Sequence, residues 1–155
     1  WDEILRGLRT ASAQLRLVAV PGPRGSTIID DTYNASPASM LAALNLLSEL
    51  DGRKVAVLGD MRELGAIEEE GHRLVGQRAA EVAEFIVAVG RLGRTMGEAA
   101  LEAGQAREAV WFAESNAQAI RLLEQIIRAG DVALVKGSRG MKMEEIVAAL
   151  TTPIP

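Results

Sequence analysis

The chain has 155 residues, 48% of them apolar, 25% charged and only 3% aromatic, with a formal net charge of −4. That is enough for one ordinary domain with an aliphatic core, and the acidic balance excludes a basic nucleic-acid footprint. There is no cysteine, so disulfides and thiolate metal sites are excluded; no apolar run nears the roughly 20 residues that span a bilayer and no signal peptide stands at the start, so we expect a soluble, cytoplasmic domain without membrane contact.

The chain starts at Trp1 rather than Met, which suggests a piece of a longer protein. Residues 1–9 read as the end of a helix with Ile4, Leu5 and Leu8 on one face, and residues 1–13 as the tail of whatever precedes the domain, which then occupies 14–155. Residues 15–20 alternate as a strand (Leu15, Leu17 and Ala19 against Arg16, Val18 and Val20), PGPRG at 21–25 is turn chemistry, and residues 26–30 return, so 15–30 form a β-hairpin. Ser36 fits a helix N-cap and Pro37 the first helical position. The helix then runs to Leu50 with Met40, Leu41, Leu44, Leu47 and Leu50 along one stripe.

Residues 54–58 (KVAVL) form a continuous apolar run, the pattern of a strand buried on both faces of a parallel sheet. A helix follows over 68–82 with Leu74, Val75 and Ala79 inside, then a strand over 84–89, a helix over 95–103 and a strand over 109–112. Ser115 caps a helix through Arg128 with Ala117, Ile120, Leu123, Ile126 and Ile127 inside. Residues 131–135 are the last strand, 143–150 the last helix, and TTPIP frays. Strands alternating with helices mean βαβ units. The expected fold is α/β: a Rossmann-like, mainly parallel sheet with helices on both faces, plus an N-terminal β-hairpin.

Four polar loops follow strands, at 30–36, 59–66, 90–94 and 136–142, and a parallel sheet gathers them at one edge. Each alone reads rather as a solvent-facing turn; what points to a site is that all four carry charge or an amide, and three of them glycine as well. Asp31, Tyr33 and Asn34 offer acceptors, a hydroxyl and an amide beside a helix N-terminus, suited to a ribose, a base or a Mg²⁺-bridged phosphate, whereas Asp30 fits an Asx-type turn. Asp60 suits a substrate ammonium or, alternatively, a helix N-terminus. Lys136-Gly137-Ser138-Arg139-Gly140 combines cations with a glycine turn and suits a carboxylate or phosphate; a basic surface loop is the competing reading. His72, the one histidine, reads as a hydrogen-bonded structural residue, and with one His and no Cys no metal site is expected. There is no G-x-x-x-x-G-K-[ST] and no G-x-S-x-G.

DDTYNASPASM (30–40), VLGDMRELG (57–65) with His72 beyond it, and LVKGSRGMKMEEIV (134–147) together resemble the C-terminal domain of the Mur ligases, in order and in spacing. The most similar branch adds D-alanyl-D-alanine to UDP-N-acetylmuramoyl-tripeptide. Its pattern resembles D-D-[ST]-Y-N-A-N-P-x-S-M, G-D-M-x-E-L-G and K-G-S-R-x-x-x-M-E, and the likeness runs from about Leu15 onward. Ser36 stands where the family more often has Asn. Ala13-Gln14-Leu15 stands where Gly-Arg and an apolar residue are expected, which leaves a nucleotide-holding arginine missing or displaced to Arg16.

The resemblance implies the third domain of an ATP-dependent amide ligase of peptidoglycan precursor synthesis. An N-terminal domain holds the UDP-sugar peptide, and a central P-loop domain binds most of ATP and Mg²⁺; residues 1–13 are then its tail or a linker. By the same resemblance Asp31, Tyr33, Asn34 and Ser36 face the nucleotide. Asp60, Arg91, Arg94, Lys136, Gly137, Ser138 and Arg139 face the dipeptide, with the three arginines as candidate carboxylate clamps. No catalytic residue is expected in this domain alone. The other readings are the same domain of a different Mur-type amino-acid ligase, or a non-catalytic α/β binding module.

Overall fold

The computed structural model describes residues 17–151. The expected helix over 1–9, the boundary at 13/14, Leu15, Arg16 and residues 152–155 lie outside the described residues. Strand β1 (Val18–Pro21) pairs antiparallel with β2 (Thr27–Asp31), Val18 opposite Asp30 and Pro21 opposite Thr27, which is the expected N-terminal hairpin. Its turn is a short 3₁₀ segment at Pro23–Gly25, where Arg24 and Gly25 take φ of 57° and 80° and the Ser26 hydroxyl donates to the Pro23 carbonyl at 2.7 Å. Pro21 sits on the outermost strand, where its missing N–H breaks no ladder.

The remaining strands are β3 (Lys54–Gly59), β4 (Phe85–Val89), β5 (Val110–Ala113) and β6 (Val132–Lys136). The sheet has six strands in the order β1-β2-β6-β3-β4-β5, and every pairing except β1–β2 is parallel. The last strand therefore lies in the middle, between β2 and β3, and all five of its residues are buried.

Alternate strand residues feed two apolar layers, as the two-residue repeat of a strand requires. Ile29, Ala56, Leu58, Ile86 and Leu134 face α1 (Pro37–Ser48), α2 (Glu68–Val82) and α3 (Gly93–Glu102). Ile28, Val55, Val57, Val87 and Val135 face α4 (Asn116–Ile126) and α5 (Glu144–Thr151). Helix α1 starts as its sequence predicts. The Ser36 hydroxyl accepts from Ser39 N at 3.1 Å, the Ser39 hydroxyl accepts from Ser36 N at 2.9 Å, and Pro37 opens the first turn. No helix among the described residues is long and apolar enough to cross a membrane.

Two helices face the core differently from their predicted stripes. On α2 the buried line is Gly71, His72, Val75, Gly76, Ala79 and Val82, and Leu74 is 48% exposed. The reason is close helix packing. A Cβ on Gly76 would run into the Met96 carbonyl of α3, so glycine, not leucine, marks the contact face. On α4, Ala119 and Leu123 are buried while Ala117 is exposed.

Helix propensity alone favours Ala over Gly by about 1 kcal/mol in a helix interior. Gly76→Ala should nevertheless destabilise the domain by about 1–3 kcal/mol, because backbone meets backbone there. Urea unfolding measures it, and a stabilised variant would contradict the packing described.

Candidate functional site

The carboxyl ends of the parallel strands carry the polar loops, and the strand order decides which loops meet. Asp31 ends β2 and Lys136 ends β6, directly paired in the parallel register. The Lys136 ammonium donates to Asp31 Oδ2 at 2.7 Å and to the Asn34 carbonyl at 2.9 Å, and the two side chains are 2% and 4% exposed. Burial pushes the Asp31 carboxyl above its ordinary value of 3.8; the Lys136 hydrogen bond and charge oppose that rise, and neighbouring Asp30 adds to it. Both groups are committed to each other beneath the surface.

Around this pair the 30–36 loop is shaped by local hydrogen bonds. Asp30 Oδ1 accepts from the Thr32 amide (3.1 Å) and hydroxyl (2.7 Å), the Asx-type turn, and Asn34 Oδ1 accepts from Ala35 N at 2.8 Å. Tyr33 is exposed with the Arg139 guanidinium 5.3 Å from its ring centroid. These two residues line a cavity of about 340 Å³ with Val18, Asp30, Thr32 and Glu144. Arg139 thus stands with Tyr33 on the predicted nucleotide side, away from the arginines it was grouped with. Ser36 is exposed and its hydroxyl caps α1.

Asp60 follows β3 and is 7% exposed. Its Oδ1 accepts from Leu92 N (2.9 Å) and Gly93 N (2.8 Å), capping α3 from a neighbouring loop, while its carbonyl accepts from Ser138 N at 2.9 Å. The Ser138 hydroxyl in turn accepts from Arg62 N at 2.7 Å. Gly90 closes against Asp60 with φ of 91°, and a Cβ there would lie 2.6 Å from Asp60 Oδ1. A Cβ on Gly137 would strike the Met143 sulfur, so any larger residue there would force the buried Met143 side chain to move. His72 is fully buried; its Nε2 accepts from Met61 N at 2.9 Å, so its Nδ1 carries the proton and donates to the Glu68 carbonyl at 2.6 Å. It ties the 59–66 loop to α2.

Above Asp60 opens a cleft of about 490 Å³ lined by Arg62, Glu63, Glu68, Arg91 and Glu114, with Met141 at one side. A neighbouring cavity of about 310 Å³ shares Gly90, Arg91 and Glu114 with it and adds Arg94, Phe112 and Ala113. Guanidinium and carboxylate groups line one continuous region, which suits a zwitterion. Glu68, Phe112 and Glu114 are not among the site residues that the sequence suggests. The loop after β5 is too short to stand out in the sequence, although Glu114 follows its strand as Asp60 follows β3.

On the Tyr33 side, Tyr33, Asn34, Ser36 and Arg139 are all exposed, and a ring, an amide, a hydroxyl and a guanidinium are groups that would suit a nucleotide. Mg²⁺ does not fit: Asp31 is taken by Lys136, and no group of three or more His, Asp or Glu among the described residues is placed to hold a metal ion.

Sheet order and parallel crossovers define a Rossmann-like α/β domain with its polar loops at the carboxyl edge of the sheet. A family model for the Mur ligase, glutamate ligase domain, matches residues 15–139, and the chain belongs to this family. The UDP-N-acetylmuramoyl-tripeptide–D-alanyl-D-alanine ligase of Bacillus subtilis is 37% identical over 149 residues, covering 94% of this chain and 32% of that protein. The enzyme of the same name from Escherichia coli is 37% identical over 152 residues, 96% of this chain and 32% of its own length. The chain thus spans about a third of these relatives. A crystal structure of MurF from Acinetobacter baumannii superposes with a TM-score of 0.74 at 34% identity, over 88% of this chain and 30% of that one. MurF from Thermotoga maritima in complex with ADP shares the fold, with a TM-score of 0.73 at 24% identity over 95% of this chain and 36% of that one.

The buried pair yields a pH-dependent prediction. A carboxyl whose folded pKa lies above its unfolded one favours folding most below the unfolded value, and that contribution is lost as pH rises through the folded value. Lys136→Met removes the ammonium that opposes the rise. The variant should lose about 3–5 kcal/mol at pH 8 and visibly less at pH 5, where Asp31 can take a proton. Urea unfolding at the two pH values tests this, and equal losses would refute it.

Proposed function

We propose that this chain works as the C-terminal domain of a cytoplasmic, ATP-dependent amide ligase that joins D-alanyl-D-alanine to UDP-N-acetylmuramoyl-tripeptide. The observation that carries the proposal is the division of one stitched edge into two clefts, on either side of the 136–142 segment. One has an exposed ring and hydrogen-bonding groups, and the other has mixed charge. Identity to D-alanyl-D-alanine ligases over nearly the whole chain supports the assignment.

Bound ATP supplies the phosphoryl group that activates a carboxylate for attack by an amine. This chain contributes binding and orientation. Tyr33, Asn34 and Ser36 meet the nucleotide held mainly by a central domain, and Asp31 acts from beneath by holding Lys136 and, through it, the Asn34 backbone. Arg139 joins them through its stack on Tyr33. The dipeptide lies across Asp60, Arg91 and Arg94, with Lys136, Gly137 and Ser138 forming the wall that keeps the two clefts apart. Mg²⁺ belongs to the other domains.

The fragment alone should hydrolyse no ATP, since it carries no P-loop; measurable turnover by the purified fragment would overturn that. In the full-length ligase, Asn34→Ala should raise the KM for ATP or lower kcat by about 5-fold, the value of one hydrogen bond. Unchanged kinetics would remove Asn34 from the site. Assaying D-alanyl-D-alanine against lysine and diaminopimelate separates this function from that of a related ligase, and a P-loop encoded upstream separates it from a non-catalytic module.

A further inference from the structure

Four arginines are exposed around the clefts, Arg62, Arg91, Arg94 and Arg139, and they are not equally prepared to bind; Arg62 turns one guanidinium nitrogen to the Met141 sulfur. Arg94 has its guanidinium carbon 4.7 Å from the centroid of the Phe112 ring. The ring itself has a defined seat: a Cβ on Gly97 would lie 2.5 Å from its Cε1 and 3.0 Å from its Cζ. Arg94 and Gly97 are three residues apart on α3, hence on one face of the helix, and β5 delivers Phe112 between them.

Stacking engages the face of a guanidinium and leaves its N–H edge free to pair bidentately with a carboxylate. No acceptor among the described residues takes a side-chain N–H of Arg94. Arg91 lines the same cavity but has no ring or acceptor holding it among the described residues, and Arg139 stacks on Tyr33 at the other cleft. Glu114, which forms no ion pair among the described residues, lies across the 310 Å³ cavity, so the pocket offers a poised cation and an uncompensated anion together.

We infer that Phe112 is a positioning residue that makes Arg94 the clamp for the carboxylate of the incoming dipeptide. This rests on the proposed dipeptide ligase function. An arginine left to sample its rotamers loses that freedom on binding, whereas one already stacked has lost part of it beforehand. The ring therefore acts on acceptor affinity and on nothing on the nucleotide side.

The test is steady-state kinetics of the full-length ligase carrying Phe112→Leu, which keeps an apolar side chain and removes the ring, and Phe112→Tyr, which keeps the ring. Phe112→Leu should raise the KM for D-alanyl-D-alanine roughly 3- to 10-fold, as expected for a lost cation–π contact, with kcat and the KM for ATP within 2-fold of wild type. Phe112→Tyr should restore the wild-type KM. An unchanged KM in Phe112→Leu, a parallel rise in all three parameters, or failure of Phe112→Tyr to restore it overturns the inference while leaving the ligase function in place. No D-alanyl-D-alanine incorporation by the wild type overturns both.

Discussion

A lysine ammonium that is 2% exposed must be compensated where it sits, because the desolvation of an unpaired charge costs several kcal/mol. Lys136 meets this demand with one carboxylate oxygen from the last residue of β2 and one backbone carbonyl from the loop that follows it. The constraint therefore acts on the loops more than on the core. It fixes how the 30–36 loop leaves its strand and how far the 136–142 segment stands from it. The exposed Tyr33, Asn34 and Arg139 take their places from that spacing. The pair is possible only because β6, the last strand in the chain, inserts next to β2 and brings residues 105 positions apart into register.

The other loops are held by the same device, a buried side chain spending its acceptors on backbone N–H groups of a neighbouring loop. Asp60 holds the start of α3, Ser138 holds Arg62, and His72 holds Met61. Asp60 and Ser138, which look like ligand groups in the sequence, thus form the frame together with His72, which reads there as structural. The groups left for a ligand are those one layer further out, chiefly Arg91, Arg94 and Glu114. A frame of this kind keeps the clefts from collapsing while leaving Arg91, Arg94 and Glu114 out of it, with Asp60 alone of the three frame side chains also lining a cleft, which is what pre-organised binding requires.

Much of the fold was legible because local chemistry and hydrophobic period agreed. The Ser36–Pro37 helix start, the buried strands at 54–59 and 132–136 and the 68–82 helix follow from capping, continuous apolar runs and spacing. Leu74 and Ala117 were misread as inward-facing because period alone does not say which stripe meets the sheet. Gly76 decides it for α2 by allowing a closer approach than leucine permits. The candidate site was legible as a set of loops and far less as individual roles. Arg139 lies beside Tyr33, and the contribution of Glu114 and Phe112 was hidden in a loop too short to draw notice.

By itself the sequence determined the element types, the parallel character of the sheet and the family, since these depend on residue order, side-chain period and three spaced motifs. Strand order, the joining of Asp31 to Lys136 and the split of the carboxyl edge into two clefts were decided only in the tertiary structure. Such facts rest on contacts between residues far apart in the chain. A charged residue at a strand end reads the same whether its partner is a ligand or another strand, and only packing reveals which.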